Sequence, residues 1–181
     1  MALDVAKAYD SVDRDRLKLV LDHVGVTDNG FFSVLWQAMT DGETMVKGAD
    51  ERWVSSRGIK QGCPMSPLLF CILLSALQPT VESECPECGF DVAGKRIVTS
   101  YADDLKLITK TTSELNQVVA SVTNFLAIIG LSVEVSKSKV LVVGDDSVTQ
   151  VNVAGVDLEV QDSIRFLGVG INRTGKFFPW I

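Results

Sequence analysis

Two β-rich apolar runs, Ile97 to Tyr101 and Leu105 to Thr109, flank the short segment Ala102-Asp103-Asp104. Runs of this composition on either side of a tight acidic break predict a β-hairpin with two adjacent carboxylates at its turn. That placement constrains the fold strongly, because negative charge between apolar strands is costly unless a cation balances it. Aspartate is also a common turn former, so a plain solvated turn stands beside the charge-bearing site as a reading of these two residues.

The rest of the chain supplies helices and strands that such a hairpin can pack with. Met1 to Ala6 is predicted as a short apolar strand ending near Asp4. Asp13 is placed to cap a helix on which Leu17, Val20, Leu21 and Val24 share a face, with Gly25 as its stop. Phe32, Leu35, Trp36 and Met39 follow at helical spacing. Glu43 to Arg57 is predicted as a hairpin turning near Gly48-Ala49-Asp50. The Gly- and Pro-rich loop Arg57 to Pro67 then leads into an apolar helix from Leu68 to Leu77, with Ser66 as N-cap and Pro67 as first helical residue. That helix is apolar nearly all round, so burial is expected. Glu82 to Gly94 is predicted as a polar connection, and Thr111 to Ile129 as a helix opened by a Thr111–Glu114 capping box. Lys139 to Val143 is predicted as a strand, and Val151 to Leu158 with Ile164 to Val169 as a last small hairpin. The element order predicts an α+β fold in which a small antiparallel sheet packs on helices, as one domain over residues 1–181.

Composition narrows the setting. The chain is 46% hydrophobic, enough for an ordinary core, and its longest apolar run, Leu68 to Leu74, is too short to span a bilayer. No basic leader precedes the first charge, so the expectation is an intracellular protein, in cytoplasm or nucleus, neither secreted nor membrane-bound. Four cysteines, Cys63, Cys71, Cys85 and Cys88, do not have the spacing of a disulfide scaffold. Cys85-Pro86-Glu87-Cys88 has the form of half a zinc site, but four ligands are needed and His23 is the only histidine, so a surface loop is expected instead. The net charge of −6 argues against a basic nucleic-acid-binding face on this chain.

Two strand-borne aspartates, Asp4 and Asp103, stand where folding could bring them together. Magnesium takes oxygen ligands and in nucleotide enzymes is commonly held by one or two carboxylates plus substrate phosphates. Two such ions about 3.5–4 Å apart activate an attacking hydroxyl and stabilise the leaving oxygen.

Read in order, the segments Leu3-Asp4-Val5-Ala6-Lys7-Ala8-Tyr9-Asp10-Ser11-Val12, Gly58 to Pro67 with Gln61-Gly62 and Ser66-Pro67, Tyr101-Ala102-Asp103-Asp104, Gly130-Leu131 with Lys137-Ser138-Lys139, and Phe166-Leu167-Gly168 resemble motifs A to E of reverse transcriptases. The flavour is that of non-LTR retrotransposons of the long interspersed element type. The resemblance covers nearly the whole chain and implies a polymerase palm. It implies that Asp4 and Asp103 ligate two Mg²⁺ ions, with Mn²⁺ as the alternative metal, and that Asp104 completes the acidic set. It also implies an RNA template, a DNA primer and deoxynucleoside triphosphates as partners.

Tyr9 matches the family's steric gate against the ribonucleotide 2′-hydroxyl, the group that separates RNA from DNA; core packing is the plainer role for a tyrosine. Gln61 and Gly62 match the loop that lies against nucleotide and template, where a tight turn would also account for them. Lys137 matches the motif D lysine proposed to protonate the pyrophosphate leaving group, beside the plain reading of a surface lysine. The family often has Asn three residues before that lysine; this chain has Glu134. Fingers before motif A and a thumb after motif E are expected to be largely absent, which would account for the acidity. An RNA-directed RNA polymerase, against which Tyr9 argues, and an inert remnant acting as a binding module are the rival readings.

Overall fold

The structure is a computed structural model, and it describes the chain except for residues 27–29, 41–43, 46–51, 54, 93–94, 97, 102–103, 167 and 180–181. In chain order the elements are β1 (Ala2–Leu3), α1 (Ala8–Ser11), α2 (Arg14–His23), α3 (Gly30–Thr40), β2 (Thr44–Met45), β3 (Arg52–Trp53), α4 (Ser66–Leu73), α5 (Leu77–Glu84), β4 (Asp91–Val92), β5 (Lys95–Arg96), β6 (Val98–Tyr101), β7 (Asp104–Leu107), α6 (Thr112–Ile128), a 3₁₀ turn (Val135–Lys137), β8 (Gln150–Val153), β9 (Val156–Glu159), β10 (Ser163–Phe166), β11 (Val169–Asn172) and β12 (Phe177–Pro179). Helices with small antiparallel sheets make this α+β. No helix among the described residues is long and apolar enough to cross a membrane. The elements gather into two compact units, one of residues 1–6, 76–126 and 132–181, the other of residues 7–75 and 127–131.

The first unit is organised by a three-stranded antiparallel sheet of order β1-β7-β6. The predicted hairpin is there, with Tyr101 paired to Asp104 and Val98 to Leu107. β1 adds to its far side, Leu3 opposite Leu105 and Ala2 opposite Lys106. The free edge of β1 is closed by residues 133–139, through bridges Ala2–Lys139 and Val5–Val133. Leu3, Leu105 and Leu107 are buried, and so is the stripe of α6 formed by Leu115, Val118, Val122, Phe125 and Leu126. Thr111 Oγ1 accepts the Glu114 N–H at 3.1 Å, one half of the expected capping box. The Glu114 carboxylate accepts the N–H groups of Lys110 (3.0 Å) and Gly89 (3.2 Å) and so ties the α5–β4 loop to the helix start.

Several expectations change in this unit. α5 occupies part of the stretch read as a polar connection. Leu77 and Val81, four residues apart, are its buried residues, a pair too sparse to read as a stripe. Pro79 in its first turn costs no hydrogen bond, since first-turn N–H groups have no helical partner. Residues 150–159 form a complete hairpin by themselves (β8–β9), and residues 163–179 form a separate sheet, β10-β11-β12, instead of one shared hairpin. Ala154-Gly155, both at positive φ, supply the tight turn that lets the first hairpin close locally. Lys139 to Val143 makes single bridges at Lys139 and Val140 in place of a strand. Cys85 and Cys88 are buried, not a surface loop, and burial, with Cys88 alongside, pushes the Cys85 thiol up.

In the second unit α2 begins as expected: the Asp13 carboxylate accepts the N–H groups of Asp15 and Arg16 at 3.1 and 3.2 Å. Leu17 and Leu21 are fully buried and Gly25 ends the helix at positive φ, whereas Val24 lies exposed beyond the last turn. In α3, Phe32 stacks on Trp36; the side chains of Leu35 and Met39 lie outside the described residues. β2 and β3 pair antiparallel as the 43–57 hairpin requires, and its turn at 48–50 is likewise outside them. His23 faces solvent.

α4 departs from its reading in two ways. Leu68 is 52% exposed, so one side of the helix is open, and the chain turns at 74–76 before α5. Ser66 does not cap the helix. The helical turn starts one residue earlier, with Leu69 N–H donating to Met65 O, and the Ser66 hydroxyl donates back to Lys60 O at 2.7 Å. The loop before α4 is clipped to the α1 turn by Gly58 N–H donating to Val12 O (2.8 Å) and Ile59 N–H donating to Tyr9 O (2.9 Å). Gly58 sits at φ +82°, and a Cβ there would meet Asp10 O at 2.8 Å. Gly58→Ala combines left-handed strain with a backbone clash and is expected to cost about 1–3 kcal/mol in chemical denaturation. A variant as stable as the parent would show that this close approach does not persist in solution.

Candidate active site

Asp4 follows β1 with its backbone held on both sides. Its N–H donates to Ser138 Oγ at 3.0 Å, and its carbonyl accepts the Glu134 N–H at 2.9 Å. The Ser138 hydroxyl in turn donates to Glu134 O at 3.1 Å, so the 3₁₀ turn is built against this one residue. The Asp4 side chain is left exposed. Carrying the β1–β7 register one residue past Leu3–Leu105 puts Asp4 beside Asp104, the first residue of β7. The Tyr101–Asp104 pairing leaves Ala102 and Asp103 between the paired ends. Asp103 is outside the described residues, as is the side chain of Asp104. Among the described residues no three His, Cys, Asp or Glu side chains gather as metal ligands. The exposed Asp4 carboxylate offers hard oxygen donors, the kind that magnesium takes.

Lys137 ends the 3₁₀ turn, exposed, with Nζ 2.8 Å from Glu134 Oε2. The hydrogen bond that Lys137 donates to this carboxylate and then the carboxylate's charge, joined by the charge of Asp4, hold the lysine above its ordinary value of 10.5. The position at which the chain departs from the family's pattern therefore supplies the partner of the motif D lysine. Glu134 and Ser138 hold the Asp4 backbone, and Glu134 also holds Lys137. The sequence marked Glu134 only as a departure from the family's pattern and Ser138 only as a neighbour of Lys137.

The remaining candidates belong to the second unit. Tyr9, on α1, is half-buried and stacks on Phe70 of α4, ring centroids 5.0 Å apart and planes at 21°. This packing fixes the ring, and it is the role of a core tyrosine as much as of a wall. Lys7, just before α1, takes a left-handed conformation at φ 45°. Gln61 is exposed, its Nε2 3.4 Å from Asp10 Oδ1. Gly62 lies at φ +84° with open space around a would-be Cβ, so its turn geometry, not a close approach, calls for glycine.

Comparison with known proteins shows the family. Residues 1–171 match the family described as reverse transcriptase (RNA-dependent DNA polymerase), and the chain belongs to that family. It is similar to the Pol polyprotein of the type-1 retrotransposable element R2 of Popillia japonica, 32% identical over 76% of this chain and 20% of that protein. It is also similar to the Pol polyprotein of element R2DM of Drosophila melanogaster, 30% identical over 96% of this chain and 18% of that protein. The sequence is thus a reverse transcriptase segment of the non-LTR retrotransposon type, and it spans about a fifth of the length of these relatives. The fold resembles that of apo telomerase from Candida tropicalis, with a TM-score of 0.64 at 18% identity over 98% of this chain and 34% of that one.

The Glu134–Lys137 pair gives a direct check. A raised folded-state pKa means that the pair contributes below the ordinary lysine value and that the contribution is lost as pH rises through the raised value. Glu134→Gln should therefore lower the Lys137 titration midpoint toward 10.5, read from its side-chain NMR signals. An unchanged midpoint would mean that the two side chains do not pair in solution.

Proposed function

We propose that this chain is the palm segment, motifs A to E, of an RNA-directed DNA polymerase that extends a DNA primer on an RNA template from deoxynucleoside triphosphates. The observation that carries the reading is the β1–β7 register, Ala2 opposite Lys106 and Leu3 opposite Leu105, which supports pairing Asp4 with the start of β7 at Asp104. The primer 3′-hydroxyl oxygen forms the new bond to the α-phosphorus, the bond from that phosphorus to the pyrophosphate oxygen breaks, and the hydroxyl proton is lost. Asp4, Asp103 and Asp104 would hold two Mg²⁺ ions, whose chemistry when bound is to acidify the attacking hydroxyl and to neutralise charge on the phosphate oxygens.

The chain's own residues do the rest. Asp4 presents its carboxylate from a backbone clamped by Ser138 and Glu134, so little ordering is needed when ligands arrive. Lys137 stays protonated at neutral pH under the influence of Glu134 and offers a proton or a point charge to the departing pyrophosphate. Tyr9, braced by Phe70, is assigned the wall that excludes a ribose 2′-hydroxyl. Gln61 and Gly62 are assigned to the loop beside nucleotide and template.

Primer extension tests this. The 181-residue chain alone is expected to extend a primer barely or not at all, because positioning of the nucleic acid is shared with the rest of such an enzyme. A chimera with the fingers and thumb of an R2-type relative should synthesise DNA. In it, Asp103→Asn or removal of divalent metal by EDTA should lower the rate by at least about a hundredfold. A chimera that keeps its rate after Asp103→Asn removes the mechanism.

Sugar choice is tested separately in that chimera. Tyr9→Ala should raise ribonucleotide incorporation relative to deoxyribonucleotide about ten- to a hundredfold, the usual worth of relieving one steric clash. Unchanged discrimination would leave Tyr9 as a packing residue only.

A further inference from the structure

A groove of about 360 Å³ opens in the second unit between the α1–α2 turn and the loop that precedes α4. Its volume falls at the low end of the range of small-molecule sites, roughly 300–1,000 Å³. Arg14, Arg57 and Lys60 line it together with one carboxylate, Asp10, and with Gln61. Three cations to one acid is the reverse of the chain's balance, which has 17 lysines and arginines against 23 acids. Basic charge that is scarce overall is concentrated on this wall.

The cations are also fixed in place. Arg14 donates through Nε to Gly58 O at 2.8 Å and through Nη1 to Ser55 O. Arg57 donates through Nη2 to Ser11 O and to Gly130 O, each at 3.2 Å. The Arg57 acceptors are backbone carbonyls, which orient its guanidinium without cancelling its charge. Lys60 is exposed and reaches the groove from a backbone held by the Ser66 hydroxyl. Guanidinium groups match phosphate oxygens in geometry, and a lysine beside them adds a mobile point charge. Asp10 is occupied by the Gln61 amide, which draws the one opposing charge to the glutamine.

We propose that this groove is a phosphate-binding site, with Arg57 and Lys60 supplying the charge and Arg14 the rigid frame. The phosphate comes either from the backbone of a nucleic-acid strand running past Gln61 or from a free polyphosphate. The first source rests on the polymerase reading; the site itself does not. The acidic residues assigned to metal belong to the other compact unit.

The test uses the 181-residue chain in EDTA without nucleotides, so that metal ligation and catalysis cannot affect the result. One arm measures binding of a labelled single-stranded RNA oligonucleotide by fluorescence anisotropy across a salt series; the other measures tripolyphosphate by calorimetry. Lys60→Gln is compared with Lys18→Gln, which removes the same charge from exposed α2 in the same unit. Circular dichroism confirms that both variants are folded. Lys60→Gln is expected to weaken binding roughly tenfold and, in the RNA arm, to lower the salt slope by about one, while Lys18→Gln changes neither. Weakening in the RNA arm assigns the phosphate to a strand, and weakening only in the tripolyphosphate arm assigns it to a free polyphosphate. Equal effects of the two substitutions mean diffuse charge and overturn the proposal. An unaffected Lys60→Gln variant overturns it too, as does a parent chain that binds neither ligand.

Discussion

β1 pairs with β7 at the cost of bringing two carboxylate-bearing positions, Asp4 and Asp104, side by side. Burial of Leu3, Leu105 and Leu107 from these strands contributes roughly 1.5–3 kcal/mol each, and the carboxylate at Asp4 is left in solvent, where a charge is least costly. The proposal that Asp4 acts with the motif C segment depends on this pairing.

The sheet alone does not orient Asp4. β1 is only two residues long, and the segment after α6 makes up the difference by bridging at Val133 and Lys139 and by bonding both polar backbone groups of Asp4. Through Glu134 the same segment holds Lys137, so the residue that would present metal and the residue that would meet the leaving group are set by one short stretch of chain. Glu134 takes part in both networks, through its backbone and through its side chain. The family's usual amide at this position could accept a lysine hydrogen bond but would bring no charge to it.

In the second unit a comparable economy holds the loop before α4. Gly58, Ile59 and Ser66 tie it by backbone and hydroxyl hydrogen bonds, and Arg14 and Arg57 fasten it through carbonyls. Arginines used in this way do two things at once: they satisfy loop carbonyls and they leave a positive wall behind. Tyr9 is fixed from the other side by Phe70. A loop braced at so many points presents Gln61 and Lys60 from a defined backbone.

Local chemistry made much of this readable from sequence. The β6–β7 hairpin follows from alternating β-rich runs around an acidic break, α2 from a capping aspartate and leucines one turn apart, and α6 from Thr111 and a long apolar stripe. The ordered motifs identified the family, because short residue patterns survive when the rest of a chain drifts. Other features needed the tertiary structure. The partner of β1 lies about a hundred residues away, and no local period encodes it. α5 is held by two buried side chains, too few for a stripe. Ser66 could cap a helix or close a loop, and the backbone start of α4 decided between them. Glu134 was a departure from a pattern until its carboxylate was found on Lys137. The basic groove draws its charges from positions 14, 57 and 60, scattered through an acidic chain, so composition argued against it. Sequence determined which local structures and which chemistry were available, because propensity and motif act over a few neighbouring residues. Which carboxylates, cations and hydroxyls meet was decided by long-range strand pairing and loop closure, because those meetings depend on burial that only the assembled units provide.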